Sequence, residues 1–121
     1  MNSNQFMLIL TNRIKNLKLD RRLRFWWQRL TRDWDDSETW CMDWTFADHI
    51  LPRLRRFKQI TKAYPTELTP EQWDEILDQM IYSFDYYASE KELQWNVSND
   101  EYAKVQRGLD LFAQYYRDLW W

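Results

Sequence analysis

TPEQWDEILDQMIYSFDYY, Thr69 to Tyr87, is the stretch that decides the fold. Thr69 is a residue type that caps helices, and Pro70 falls where the first helical turn needs no backbone N–H. Trp73, Ile76, Leu77, Met80, Ile81, Phe84 and Tyr87 then recur at three- and four-residue steps, which predicts one long helix with a buried stripe.

The same period continues on both sides. Trp44, Ala47, Ile50, Leu51, Leu54, Phe57 and Thr61 predict a preceding helix from about Met42 to Ala63. Pro52 interrupts it, removing a backbone donor and crowding the turn before it, so a kink or two shorter helices are expected around His49 to Leu51. The last helix starts after Ser98 or Asn99, carries Tyr102, Val105, Leu109, Phe112, Tyr116 and Leu119, and ends in Trp120 and Trp121. Gly108 lies in its interior, where glycine costs about 1 kcal/mol against alanine, so a close helix contact is expected there.

Phe6 to Arg32 reads as one or two basic amphipathic helices, with Ile14, Leu17, Phe25 and Leu30 among eight Lys and Arg. Phe25, Trp26 and Trp27 are adjacent and cannot all face one core, so at least one should contact another element, a partner or a ligand. The connectors, roughly Tyr64 to Leu68 and Ser89 to Val97, are short and imply antiparallel neighbours. The expected fold is all-α: a compact bundle of four or five helices with a proline-kinked second helix. One domain is expected over 1–121, with a basic segment at 1–32 and the helical core at 33–121.

Composition supports this reading. One Gly and three Pro in 121 residues leave little material for the reversals of a sheet, and the length suits one core. The apolar run Phe6 to Leu10 is too short for a membrane span or a secretory leader, so a soluble cytoplasmic protein with no membrane partner is expected. The single Cys41 excludes an internal disulfide and a cysteine-rich zinc site. The net charge of -2 conceals polarity: residues 1–64 hold 13 basic against 7 acidic groups, and residues 65–121 hold 4 against 12. Such a dipole can steer an anionic partner or let two copies pair head to tail.

The seven residues WDDSETW, Trp34 to Trp40, concentrate three carboxylates, two hydroxyls and two indoles between the basic segment and the Met42 helix. In one reading Ser37 or Thr39 caps a turn, and Asp35, Asp36 and Glu38 sit at its positive end. In the other, Asp35, Asp36, Glu38 and Asp43 form a cluster for a divalent cation or a partner's guanidinium groups. The spacing matches no calcium loop. His49, with Asp48 beside it, is the sole imidazole available to a mechanism, and neither Ser37 nor Cys41 comes with a triad. Glu71, Asp74, Glu75 and Asp78 repeat at a spacing similar to that with which all-helical nucleoside triphosphate pyrophosphatases hold magnesium, but no matched acidic pair follows on the last helix. Arg53, Arg55, Arg56, Lys58 and Lys62, with Phe25-Trp26-Trp27, suit a small anionic nucleotide or an acidic protein surface, or else are basic stems packed over aromatic rings with no ligand. A pI near 5.4 argues against long nucleic acid.

WDDSETW, ILPRLRRFK, the ELTPEQWDEILDQM helix and the terminal GLDLF-x-x-YYRDLWW together resemble a family of short uncharacterised bacteriophage proteins, from about Arg32 to Trp121. The resemblance implies a viral origin and carries over no catalytic residue, metal or cofactor. The expected function is stoichiometric binding that inhibits or sequesters a host protein, as counter-defence or host takeover. The alternatives are a nucleotide-binding sponge and a magnesium-dependent nucleotide hydrolase acting through Asp74 or Asp78. The expected binding residues are Trp26, Trp27, Trp34, Asp35, Asp36, Glu38, Trp40, Arg53 and Arg56. The apolar end at Leu119, Trp120 and Trp121 leaves a homo-oligomer open.

Overall fold

The computed structural model describes residues 2–14, 18–89 and 97–121. Among them the elements are α1 (Ser3–Ile14), α2 (Lys18–Arg32), a 3-10 turn (Asp36–Thr39), α3 (Met42–Ile60), α4 (Pro70–Ala88), α5 (Asn99–Gln114) and a second 3-10 turn (Tyr116–Asp118). The fold is all-α, with five helices and no strand among the described residues. Lys15, Leu17 and most of the Ser89–Val97 connector lie outside the described residues. No described helix is long and apolar enough to cross a membrane.

The chain divides into two units, Met1–Cys41 and Met42–Trp121. WDDSETW therefore groups with the basic segment that precedes it. In charge the first unit carries eight basic against five acidic groups, net +3, and the second nine against fourteen, net -5.

In the second unit α4 packs against both α3 and α5. Thr69 caps α4 as the sequence predicts: its hydroxyl accepts from the Gln72 amide at 3.1 Å and the Gln72 side chain accepts from the Thr69 amide at 2.9 Å. The pairs fix the directions. Lys58 on α3 meets Asp74 and Asp78, and Arg55, a turn earlier, meets Asp85, further along α4. The two helices run antiparallel. Ala47, Leu51 and Leu54 of α3 join Trp73, Leu77, Met80 and Phe84 of α4 and Leu111 and Tyr115 in one core, with Trp73 edge-on to Tyr115 and Phe84 edge-on to Phe112.

Pro52 does not divide α3. One helix runs through it, and the Arg53 guanidinium donates to the His49 carbonyl at 2.7 Å, in the turn where a proline opens the backbone ladder. The buried face of α5 also differs from the expected stripe. Val105, Gly108, Leu111 and Tyr115 are buried, while Tyr102 and Tyr116 are exposed. The reason is Gly108 itself. A Cβ there would lie 1.9 Å from Ser83 Oγ and 2.2 Å from the Gln79 carbonyl, so α4 and α5 cross with their backbones nearly touching. Ser83, fully buried, donates across the crossing to the Val105 carbonyl at 2.6 Å.

Candidate functional site

α2 ends in a left-handed residue, Asp33 at φ 67°, whose N–H still bonds to the Arg29 carbonyl at 2.9 Å. That conformation, which aspartate tolerates better than most residues, reverses the chain so that Trp34 to Trp40 fold back along α2.

The segment uses its own polar groups. Asp35, fully buried, caps the 3-10 turn: its carboxylate accepts from the Ser37 amide at 2.8 Å and from the Ser37 hydroxyl, while Glu38 accepts from the Asp35 amide at 2.8 Å. This is a reciprocal capping box, the pattern that satisfies the first donors of a helical turn. Arg29 completes it by donating Nε to the second Asp35 oxygen. Asp36 accepts from Gln28 Nε2 at 2.9 Å and from Arg32 Nη2 at 2.6 Å, and its amide donates to Gln28 Oε1 at 2.8 Å. Thr39 Oγ1 donates to the Asp36 carbonyl at 2.7 Å. The Arg32 guanidinium lies 3.8 Å over the Trp34 ring and donates Nε to its carbonyl at 3.1 Å. Trp40 stands edge-on to Phe25 with centroids 5.6 Å apart, under the Arg21 guanidinium.

Both aspartates titrate low. The Ser37 hydroxyl, then its backbone N–H and Arg29, hold the Asp35 carboxyl below its ordinary value against the opposing effect of burial. The Gln28 amide and then Arg32 do the same for Asp36. The segment is a cap, but the capping residue is Asp35 and not Ser37 or Thr39: Ser37 is one of its donors, and the Thr39 hydroxyl donates to the Asp36 carbonyl instead. Asp43, expected in the same cluster, lies in the first turn of α3, in the second unit. Among the described residues no three His, Cys, Asp or Glu side chains group as metal ligands would.

Helical geometry separates α2 into two faces. Arg21, Phe25, Gln28, Arg29 and Arg32 are the residues that hold 34–40. Leu23, Trp26, Trp27 and Leu30, at steps of three, four and seven, lie roughly opposite at about 100° of turn per residue. That second face is open: Leu23 is 49 % exposed, Trp26 60 %, Trp27 63 % and Leu30 60 %. Of the three adjacent aromatics, Phe25 thus finds an element of its own unit and the two tryptophans face outward. Leu23 and Leu30 were not among the expected binding residues. The i, i+3, i+4, i+7 spacing was the signal that contained them.

Trp26, Trp27, Trp34, Asp35, Asp36, Glu38 and Trp40 fall together in the first unit; Arg53 and Arg56 fall on α3 in the second. Arg53 binds the His49 carbonyl and Arg56 donates to Gln59 Oε1 at 3.2 Å. Asp74 and Asp78 both face Lys58, at 3.6 and 2.6 Å, and hydrogen bonding to Asp78 leads the effects that raise the Lys58 ammonium above its ordinary value. His49 is exposed on α3. Comparison with protein-family models, with curated proteins and with solved structures finds no match.

Proposed function

We propose that this chain is a phage-encoded binding protein that inhibits or sequesters a host protein by stoichiometric association in the host cytoplasm, as counter-defence or host takeover. The viral origin rests on the resemblance carried by WDDSETW and the LWW end. The mode of action rests on one observation: α2 turns two tryptophans and two leucines to solvent while its opposite face is occupied by 34–40. Tryptophan and arginine are the side chains that most often dominate binding energy, and a patch of this kind on a small domain marks an interaction surface.

In this reading WDDSETW has a supporting part. Asp35, Asp36 and Glu38 hold the last turns of α2, and Trp34 and Trp40 pack on its arginines, so contact with the partner falls to Trp26 and Trp27. The hydrolase alternative has less support, because Lys58 lies against both carboxylates it would use. The nucleotide alternative has Arg53 and Arg56, each with an acceptor of its own on α3.

The test is affinity capture of the full chain from its host followed by native mass spectrometry. A host protein at fixed stoichiometry supports binding. A copurified nucleotide with no protein, or chelator-sensitive turnover, would replace this function with one of the alternatives.

A further inference from the structure

We infer that α2 is an anchor helix that docks into an apolar groove rimmed by carboxylates on a protein partner. This rests on the binding reading above and adds the chemistry of the partner's surface. Three observations carry it. Leu23, Trp26, Trp27 and Leu30 have the i, i+3, i+4, i+7 spacing with which an amphipathic helix fills a hydrophobic groove. The flanks are cationic: Arg22 and Arg24 are exposed on the two sides of the apolar face, and Asp20 is the sole acid in the 18–32 sequence against six basic residues. Charge complementarity therefore asks for carboxylates at the groove rim, and two α2 helices laid face to face would oppose like charges. The helix is also held before binding. A helix of 15 residues is marginal in water by itself, and the clamp from Asp35, Asp36 and Trp40 on its back fixes it, which lowers the entropy lost on docking.

A lipid surface suits these charges less well. Two of the five arginines of α2, Arg29 and Arg32, are paired with Asp35 and Asp36, and the first unit as a whole carries five carboxylates and a net charge of only +3. Interfacial helices draw on a diffuse basic field, whereas a groove needs apolar anchors and a few flanking cations.

The experiment uses calcium-loaded calmodulin as a defined acidic, apolar groove, titrated with the full chain and read by calorimetry. Binding is expected with calcium and not with EDTA, which closes the groove. Replacing both Trp26 and Trp27 with alanine should weaken it by about 100-fold or more. Arg22→Glu should weaken it by about tenfold, and its retained far-ultraviolet circular dichroism would show an intact helix. The inference is overturned by no binding to the calcium-loaded groove, by calcium-independent binding, by full affinity in the double tryptophan variant, by preferential binding to phosphatidylserine vesicles, or by a homodimer that dissociates when the tryptophans are removed. A host protein captured equally by wild type and by the double variant would leave the proposed function standing and remove this inference alone. Failure to capture any host protein would remove the function itself.

Discussion

Gly108→Ala is the perturbation whose sign the structure decides. At an ordinary helix interior the change favours the helix by about 1 kcal/mol. Here the added Cβ would meet Ser83 Oγ at 1.9 Å, the Gln79 carbonyl at 2.2 Å and Ser83 Cβ at 2.8 Å, where ordinary contact begins at 3.4 Å. The hydroxyl can rotate away, but only by giving up its 2.6 Å bond to the Val105 carbonyl, a loss of about 0.5–1.5 kcal/mol. The Gln79 carbonyl cannot rotate, so α4 and α5 must part by about 1 Å along a crossing that carries Phe84 against Phe112. Overpacking of this kind costs about 1–3 kcal/mol. After the propensity gain is subtracted, the net expectation is a loss of about 2 kcal/mol. For a unit of this size that corresponds to a fall in Tm of roughly 10 °C. Urea denaturation followed by circular dichroism at 222 nm measures it. Ala103→Gly, at an exposed position on the same helix, is the control and should lose about 1 kcal/mol from propensity alone. A Gly108→Ala protein as stable as wild type, or more so, would refute the close crossing.

Other consequences are equally open to measurement. Because Asp35 and Asp36 titrate below their ordinary 3.8, the stability they lend the α2 clamp is complete above that pH and is lost as pH falls through their lower folded values. The Ser37 amide resonance should therefore shift with a midpoint below 3.8, and a midpoint at or above it would contradict the hydrogen bonding described. For Lys58 the sign reverses: its folded value lies above 10.5, so the contribution of the α3–α4 pairs is complete below 10.5 and lost as pH rises through the higher value. Lys58→Met should lower stability by less than about 1 kcal/mol, since both carboxylates are largely exposed, and the loss should shrink in high salt. Alanine at Trp26 and Trp27 should leave the unfolding free energy from urea titration within about 0.5 kcal/mol of wild type, because neither ring is buried; a larger loss would mean that they pack inside the protein.

Much of the fold was legible because the signals were local. The Thr69 cap, the Pro70 position and the apolar period of α4 act within a turn or two, and the structure has each of them. The face of α5 was not legible by the same route. Hydrophobic counting follows side chains, and the centre of that contact is the residue that has none, so the period points to Tyr102 and Tyr116 where Gly108 and Leu111 form the buried face. Ser83 carries no apolar signal for the same reason: a buried hydroxyl is apolar in its effect only once its partner across the crossing is known. At WDDSETW the residue types were equally consistent with a cap and with a ligand cluster. What separates them is the left-handed Asp33, which turns the segment onto Gln28, Arg29 and Arg32, and no composition or period announces that reversal.

The clamp on α2 joins residues two, six and eight positions apart, Ser37 with Asp35, Arg29 with Asp35 and Gln28 with Asp36. Loops of this length close in about 10–100 ns. The α3–α5 unit depends instead on partners 22 and 30 residues apart, Ser83 with Val105 and Arg55 with Asp85. Synthesis proceeds at about 5–20 residues per second, far slower than such closures. The clamp of residues 34–40 on α2 can therefore close while α5 is still inside the ribosome, and the aromatic helix face is on display seconds before the rest of the chain has anything to fold against.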